Sequence, residues 1–132
     1  MVRAILESLT YRIALLYVCA LEETRYTFTR IKVDGGVSRN DFICQTLADL
    51  TGLPVERGEV ADSTALGAMF LAGLNVGIWH SKQELIDIRK IDRVFEPNAA
   101  NKNKCLKSMR SWERAVERFK RWYIAEELNS LN

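Results

Sequence analysis

The chain has 132 residues, 48% of them apolar and 27% charged, and a formal net charge of +2. That is one domain's length with an ordinary globular composition, enough to bury a core without staples. The small charge argues against a nucleic-acid binder, and three cysteines without CxxC spacing beside a single histidine argue against a disulfide framework, a zinc site or a Ser-His-Asp triad.

Cys19, Cys44 and Cys105 are therefore expected as reduced thiols in the cytoplasm, and His80 as a lone surface side chain. No stretch reads as a membrane span. The best apolar run, "IALLYVCAL" from Ile13 to Leu21, is about half of the ~20 residues a crossing needs, and Arg3, Glu7 and Arg12 precede it.

The first predicted element is a helix from Val2 to Glu23. Leu6, Leu9, Ile13, Leu16 and Leu21 recur at near-helical spacing, and Ala14, Leu15 and Val18 widen the stripe. A helix apolar on most sides is expected to be sandwiched inside a fold. A strand over 27–33 follows, with β-prone Phe28, Ile31 and Val33. Gly35 and Gly36 end it. Ser38 is the expected cap of the next helix, with Asp41 three residues on in a near capping box. Ile43, Leu47 and Leu50 mark its buried face, Gly52 and Pro54 stop it, and "PVER" reads as a short strand.

A helix starting at Asp62 or Ser63 and running to Val76 is rich in Ala65, Gly67, Ala68, Ala72 and Gly73. Glycine inside a helix costs about 1 kcal/mol relative to alanine, so both glycines need a reason. Close packing is expected at Gly73, and either packing or a neighbouring ligand at Gly67. Ser81 and Glu84 form a capping box for "SKQELIDI". "RVFEP" is extended. A last helix over 103–127 should bury Leu106, Met109, Val116, Phe119 and Tyr123, with Trp112 and Trp122 beside them, and keep its mixed charges in solvent. Strands alternating with helices imply a parallel α/β core without an internal linker.

Ligands of open α/β sheets sit beyond the carboxyl ends of strands. The junction "VDGGVSRN", Val33 to Asn40, occupies such a place. Without a Cβ, glycine lets a base, ribose or phosphate approach the main chain, and free N–H groups at a helix start favour anionic oxygen. Asn40 offers an amide. The pattern has neither the third glycine of GxGxxG nor a GK[ST], so it is neither a Rossmann turn nor a P-loop. The start "DSTALGA" is expected to bring a second small-residue N-terminus to the same rim. Glu56, Glu59 and Asp62 are expected in an exposed loop, without a catalytic role.

"RAILESLTYR", "IKVDGGVSRNDFICQTLADLTGLPVER" and "STALGAMFLAGLNVGIW", followed by "FEP" and "SWERAVERFKRW", resemble in order and spacing the C-terminal part of the FGGY carbohydrate kinases, most closely their glycerol-kinase-like branch. The resemblance runs from Val2 to about Trp122. It implies that residues 1–132 are part of the C-terminal, nucleotide-side domain, with the fold class α/β, the C-terminal part of an actin-like ATPase (ribonuclease H-like) domain. It implies ATP or ADP with Mg2+ as cofactor, and glycerol or a related polyol as the acceptor of the γ-phosphoryl group. Gly36 and Asn40 match positions that contact the nucleotide, and Gly35 shapes the same turn. Asp34 matches an acid expected to order the loop through backbone N–H groups. Ser63, Thr64 and Gly67 match the helix beside the site.

Phosphoryl transfer also needs phosphate positioning, a metal ion and a base for the hydroxyl. In the family these parts precede the segment matched here. No catalytic residue is therefore assigned, and this chain alone is expected to be inactive. The alternative is a non-catalytic truncated isoform that acts as a binding or regulatory module, with homo-oligomerisation open. Truncation predicts that apolar faces of the first helix and the small-residue helix are left exposed.

Overall fold

The computed structural model describes residues 1–120. The expected end of the last helix, with Trp122, Tyr123 and Glu127, lies outside the described residues. The elements are α1 (Val2–Thr24), β1 (Ile31–Val33), α2 (Gly35–Ser38), α3 (Asp41–Thr51), β2 (Val55–Gly58), α4 (Ser63–Asn75), α5 (Lys82–Ile88), β3 (Ile91–Phe95) and α6 (Ala99–Phe119). Apart from the short α2, their order is the one the sequence pattern predicts, with the piece read as extended forming β3.

Helices α3 to α6 each begin on a side chain that takes up an otherwise unpaired N–H. Asn40 accepts from Phe42, Asp62 from Ala65, Ser81 from Glu84 and Asn98 from Ala100. Two starts differ from expectation. Residues 35–38 close a helical turn of their own, so Ser38 ends α2 and donates its Oγ–H to the Gly35 carbonyl at 2.7 Å. The cap of α3 passes to Asn40. Asn98, directly after Pro97, caps α6, which starts at Ala99, four residues before the predicted Asn103. Gly52 ends α3 in the left-handed region at φ 74°, the conformation glycine adopts without a Cβ penalty.

The sheet has the order β1-β2-β3. β1 and β2 are parallel, with Ile31 opposite Val55 and Val33 opposite Arg57. β3 runs antiparallel to β2, with Val55 opposite Phe95 and an irregularity at Arg57/Gly58. The expected parallel core therefore holds for β1 and β2, and the piece expected only to be extended adds an antiparallel edge as β3, a common feature of α/β sheets.

α3 is the sandwiched helix. Cys44, Leu47 and Ala48 pack with Val55 and Phe95 on the sheet, joined by Ile31 and Val33. On its other side Leu50 meets Tyr11 and Ala14 of α1 and Met109 of α6, with Leu15, Cys105, Leu106 and Trp112 at the margin. Asp49, buried, accepts hydrogen bonds from Gln45 Nε2, the Asn98 N–H and Asn101 Nδ2 at 2.8–3.1 Å, and so ties α3 to the start of α6. Among the described residues the sandwiched helix is thus the third, while α1 and the small-residue helix α4 leave apolar faces exposed, as expected for both.

α1 buries only Thr10, Tyr11 and Ala14. Leu9, Ile13 and Leu16, expected in the core, are exposed, as are Val116 and Phe119 of α6. The apolar residues of α1 surround the helix, and α3 and α6 cover one side of it. α1 is also continuous over 23 residues with a mean hydropathy of 1.6 in its most apolar stretch. By length and composition it is long and apolar enough to cross a membrane, which the 13–21 run considered alone did not show. α4 buries only Gly73. A Cβ at Gly73 would lie 2.2 Å from the Trp79 ring, which stacks edge-on against Phe70. The expected close packing is therefore real, and its partner is the tryptophan that follows α4 in the chain.

Candidate functional site

The carboxyl end of β1 runs straight into α2, and that of β2 into the loop 59–62 before α4. The two connections lie side by side. The Gly35 N–H donates to the Ala61 carbonyl at 3.0 Å, and Arg39 Nη2 donates to the Glu59 carbonyl at 2.6 Å. The start of α4 therefore stands at the rim of the glycine turn, as its sequence led one to expect.

Gly35, Gly36 and Asn40 fall on this one turn, with different local demands. Gly35 has φ +80°, which a side chain would strain. Gly36 is not in the left-handed region, and a Cβ built there meets nothing within 4 Å. Its backbone faces open space. Asn40 is exposed, and its Oδ1 accepts the Phe42 N–H at 3.0 Å. Gly67 is also open, with nothing within 4 Å of the point a Cβ would occupy, so close packing inside this chain does not account for it. Ser63 and Thr64 form the first turn of α4.

Asp34 departs from expectation. It precedes α2 in an extended conformation, and its side chain makes no capping hydrogen bond. Glu56 departs as well. It is a buried strand residue held by Arg30 and Arg89, not part of an exposed loop. Asp62 is occupied as the cap of α4. No group of three or more His, Cys, Asp or Glu that could hold a metal ion occurs among the described residues.

Sequence reading missed the residue beneath the turn. Arg57, nine-tenths buried, donates from Nη1 to the Ser38 and Arg39 carbonyls at 3.0 and 3.3 Å and to Asp41 Oδ1 at 2.7 Å. Its Nε meets Asp92 Oδ2 at 2.6 Å, and its guanidinium carbon lies over the Phe95 ring, 5.3 Å from the ring centre. Asp41, chiefly through its hydrogen bond, and Asp92 raise the guanidinium above its usual value despite burial. Cys44 donates its S–H to the same Ser38 carbonyl at 3.1 Å, and burial pushes its thiol up. The available signal was "VER" itself: two adjacent opposite charges in a strand must point to opposite faces, and each needs a partner if both faces are covered.

This architecture is that of the sugar kinases. Plasmodium falciparum glycerol kinase, solved with ADP, superposes with a TM-score of 0.74 at 29% identity over 89% of this chain and 24% of that one. A ligand-bound xylulose kinase from Lactobacillus acidophilus gives a TM-score of 0.72 at 24% identity over 92% of this chain and 24% of that one. The fold class is accordingly the C-terminal part of an actin-like ATPase domain.

Residues 1–76 match the FGGY family of carbohydrate kinases, C-terminal domain, and the chain belongs to that family. Glycerol kinases of Caldanaerobacter subterraneus and Trichodesmium erythraeum are 44% and 41% identical over 126 and 121 residues. These matches take in 96% and 92% of this chain, and 25% and 24% of the relatives. The chain thus spans about a quarter of the length of the curated relatives it matches.

Proposed function

We propose that residues 1–132 form the nucleotide-side part of the C-terminal domain of an ATP-dependent kinase acting on glycerol or a related polyol. The observation that carries this reading is the bare backbone at Gly36, beyond the carboxyl end of β1 and beside the start of α4. The glycerol kinases among the relatives support the choice of acceptor.

In this reading adenosine lies against the Gly35–Gly36 backbone. Asn40 keeps its cap through Oδ1 and offers its amide NH2 to the nucleotide. Two features support an adenine nucleotide here: the backbone at Gly36 faces open space, and the turn adjoins the start of α4. ATP bound there supplies the γ-phosphoryl group for a primary hydroxyl. The described residues bring together no group of three or more metal-ligating side chains that would hold the accompanying Mg2+ without the nucleotide. The metal, the base for the hydroxyl and the β/γ-phosphate loops are assigned to the remaining length of the kinase. The chain alone is accordingly proposed to be inactive, and the kinase to work in the cytoplasm with α1 packed inside its domain.

A second reading, a non-catalytic binding or regulatory module, draws support from the uncovered apolar side of α1. Two measurements test the pair. Calorimetric titration of ADP into the folded chain should give weak, saturable binding, and no saturable binding would overturn the nucleotide assignment. A coupled assay with ATP, Mg2+ and glycerol should give no turnover above the protein-free background, and robust turnover would refute the proposed inactivity.

A further inference from the structure

Arg57 is the one buried cation among the described residues, and its partners all border the glycine turn or brace it. Its Nη1 reaches two successive carbonyls, Ser38 and Arg39, where α2 ends and Asn40 begins α3. Its anchors come from elsewhere: Asp92 on β3, Asp41 at the start of α3, and the Phe95 ring beneath. Asp41 is held in turn by Arg93 Nη1 at 2.6 Å. From Ser38 the linkage continues. Its Oγ–H bonds to the Gly35 carbonyl, and the Gly35 N–H bonds to Ala61 at the rim of α4. The two ends of the 35–40 turn are thus joined, through Ser38, to one guanidinium.

We propose that Arg57 is the positioning residue of this turn: it fixes the backbone of 35–40 from below, so that Gly36 and Asn40 stand ready for a nucleotide above. The functional half of the statement rests on the nucleotide reading given under Proposed function. The geometric half does not. Two nitrogens at a fixed separation are in use: Nε holds Asp92 while Nη1 serves the Ser38 and Arg39 carbonyls and Asp41. Lysine, a point charge with three donors, can keep the pairing with Asp41 and Asp92 but cannot reproduce that separation.

The test compares Arg57→Lys and Arg57→Met in the full chain by thermal melting, amide hydrogen exchange and ADP titration. Lysine should hold the melting temperature near that of the parent, and methionine should lower it. In both variants the Arg39 and Asn40 amides, bonded in the parent to the Gly36 and Val37 carbonyls, should exchange about tenfold faster, and in the lysine variant, with stability held, amides of α6 should keep their rates. ADP affinity should fall about tenfold in both, the weight of a hydrogen bond to a charged donor. If lysine restores turn protection and affinity along with stability, Arg57 is only a charge staple and the proposal is overturned. If Arg57→Met does not fold, the same comparison is made with Asp92→Ala, which removes the acceptor of the Nε–H and should loosen the same two amides. A parent chain that binds no ADP while its lysine variant loosens the turn would sustain the clamp and sink the nucleotide reading.

Discussion

Gly35 and Gly36 are neighbours with separate reasons for lacking a side chain. At Gly35 the reason is conformational: φ +80° strains any other residue. At Gly36 it is not, because the backbone is ordinary and a Cβ would meet only open space. The two substitutions should therefore dissociate. Gly35→Ala should cost about 1 kcal/mol of stability or more, read by urea unfolding. Gly36→Ala should be neutral or stabilising by less than about 1 kcal/mol. Gly36→Val should leave the fold intact yet weaken ADP about tenfold or more, the scale of one misplaced group in a pocket. Unchanged ADP affinity in a folded Gly36→Val chain would remove the reason given for that glycine. Below the turn, Cys44 gives a pH prediction. Burial raises its thiol pKa in the folded state, as it does for Cys105 and Tyr11. A raised pKa favours the protonated, folded form. Stability from these groups is complete below their unfolded values and is lost as pH climbs towards the folded ones. Urea midpoints should thus decline above the ordinary thiol value of 9.0, and Cys44→Ala should flatten the decline. A midpoint independent of pH across that window would contradict the assignment.

Among the elements, α3 carries the fold, and a single carboxylate ties it to α6. Asp49 accepts three hydrogen bonds in a buried position, from Gln45, Asn98 and Asn101. Asp49→Ala leaves those donors without their acceptor and should cost about 2 kcal/mol. Asp49→Asn, which keeps one acceptor oxygen, should cost less. Equal melting temperatures for parent and Asp49→Ala would show that α6 docks through Leu106, Met109 and Trp112 alone. What could be read beforehand follows from the kind of signal. The order and type of the main elements were legible, because periodicity and caps are local: Gly52 and Pro54 end α3, Asp62 starts α4, Ser81 starts α5. The glycine turn was legible for the same reason. Long-range partnerships were not. Nothing near Arg57 in the chain announces Ser38, Asp41 or Asp92, and nothing near Asp49 announces Asn98. The direction of β3 and the choice between α1 and α3 as the central helix also depend on tertiary packing, which overrides local pattern.

The molecule as a whole is defined by what α1 leaves open. At 100° per residue, Val2, Ile5, Leu9, Ile13 and Leu16 fall on one stripe, roughly opposite the buried Thr10, Tyr11 and Ala14. All five are exposed, and Met69, Leu71 and Val76 add exposed apolar surface at α4 and its end. An apolar stripe from Val2 to Leu16, with the exposed apolar residues of α4 added to it, is the kind of surface that marks an interaction site. Three occupants would satisfy it: the rest of a kinase domain, a second copy of this chain, or a bilayer. The inner side of α1 favours protein. Tyr11 stacks on Trp112 at 5.8 Å, and Arg3 and Glu7 form an ion pair within the apolar helix's first turns, where a bilayer would have to accept both charges. The isolated chain should therefore self-associate at micromolar concentration, visible as a mass above 15.1 kDa in light scattering on an eluting peak. Leu9→Glu combined with Ile13→Lys should move it towards the monomer without loss of helical signal, since neither side chain contributes to the core. Added phosphatidylcholine vesicles should not change the distribution, and the chain should stay in the aqueous fraction on flotation. Co-flotation with the vesicles would give α1 to the membrane. A parent chain that is monodisperse, monomeric and cooperatively melting would mean that the stripe needs no cover at all, and that the quarter-length chain is a self-sufficient fold.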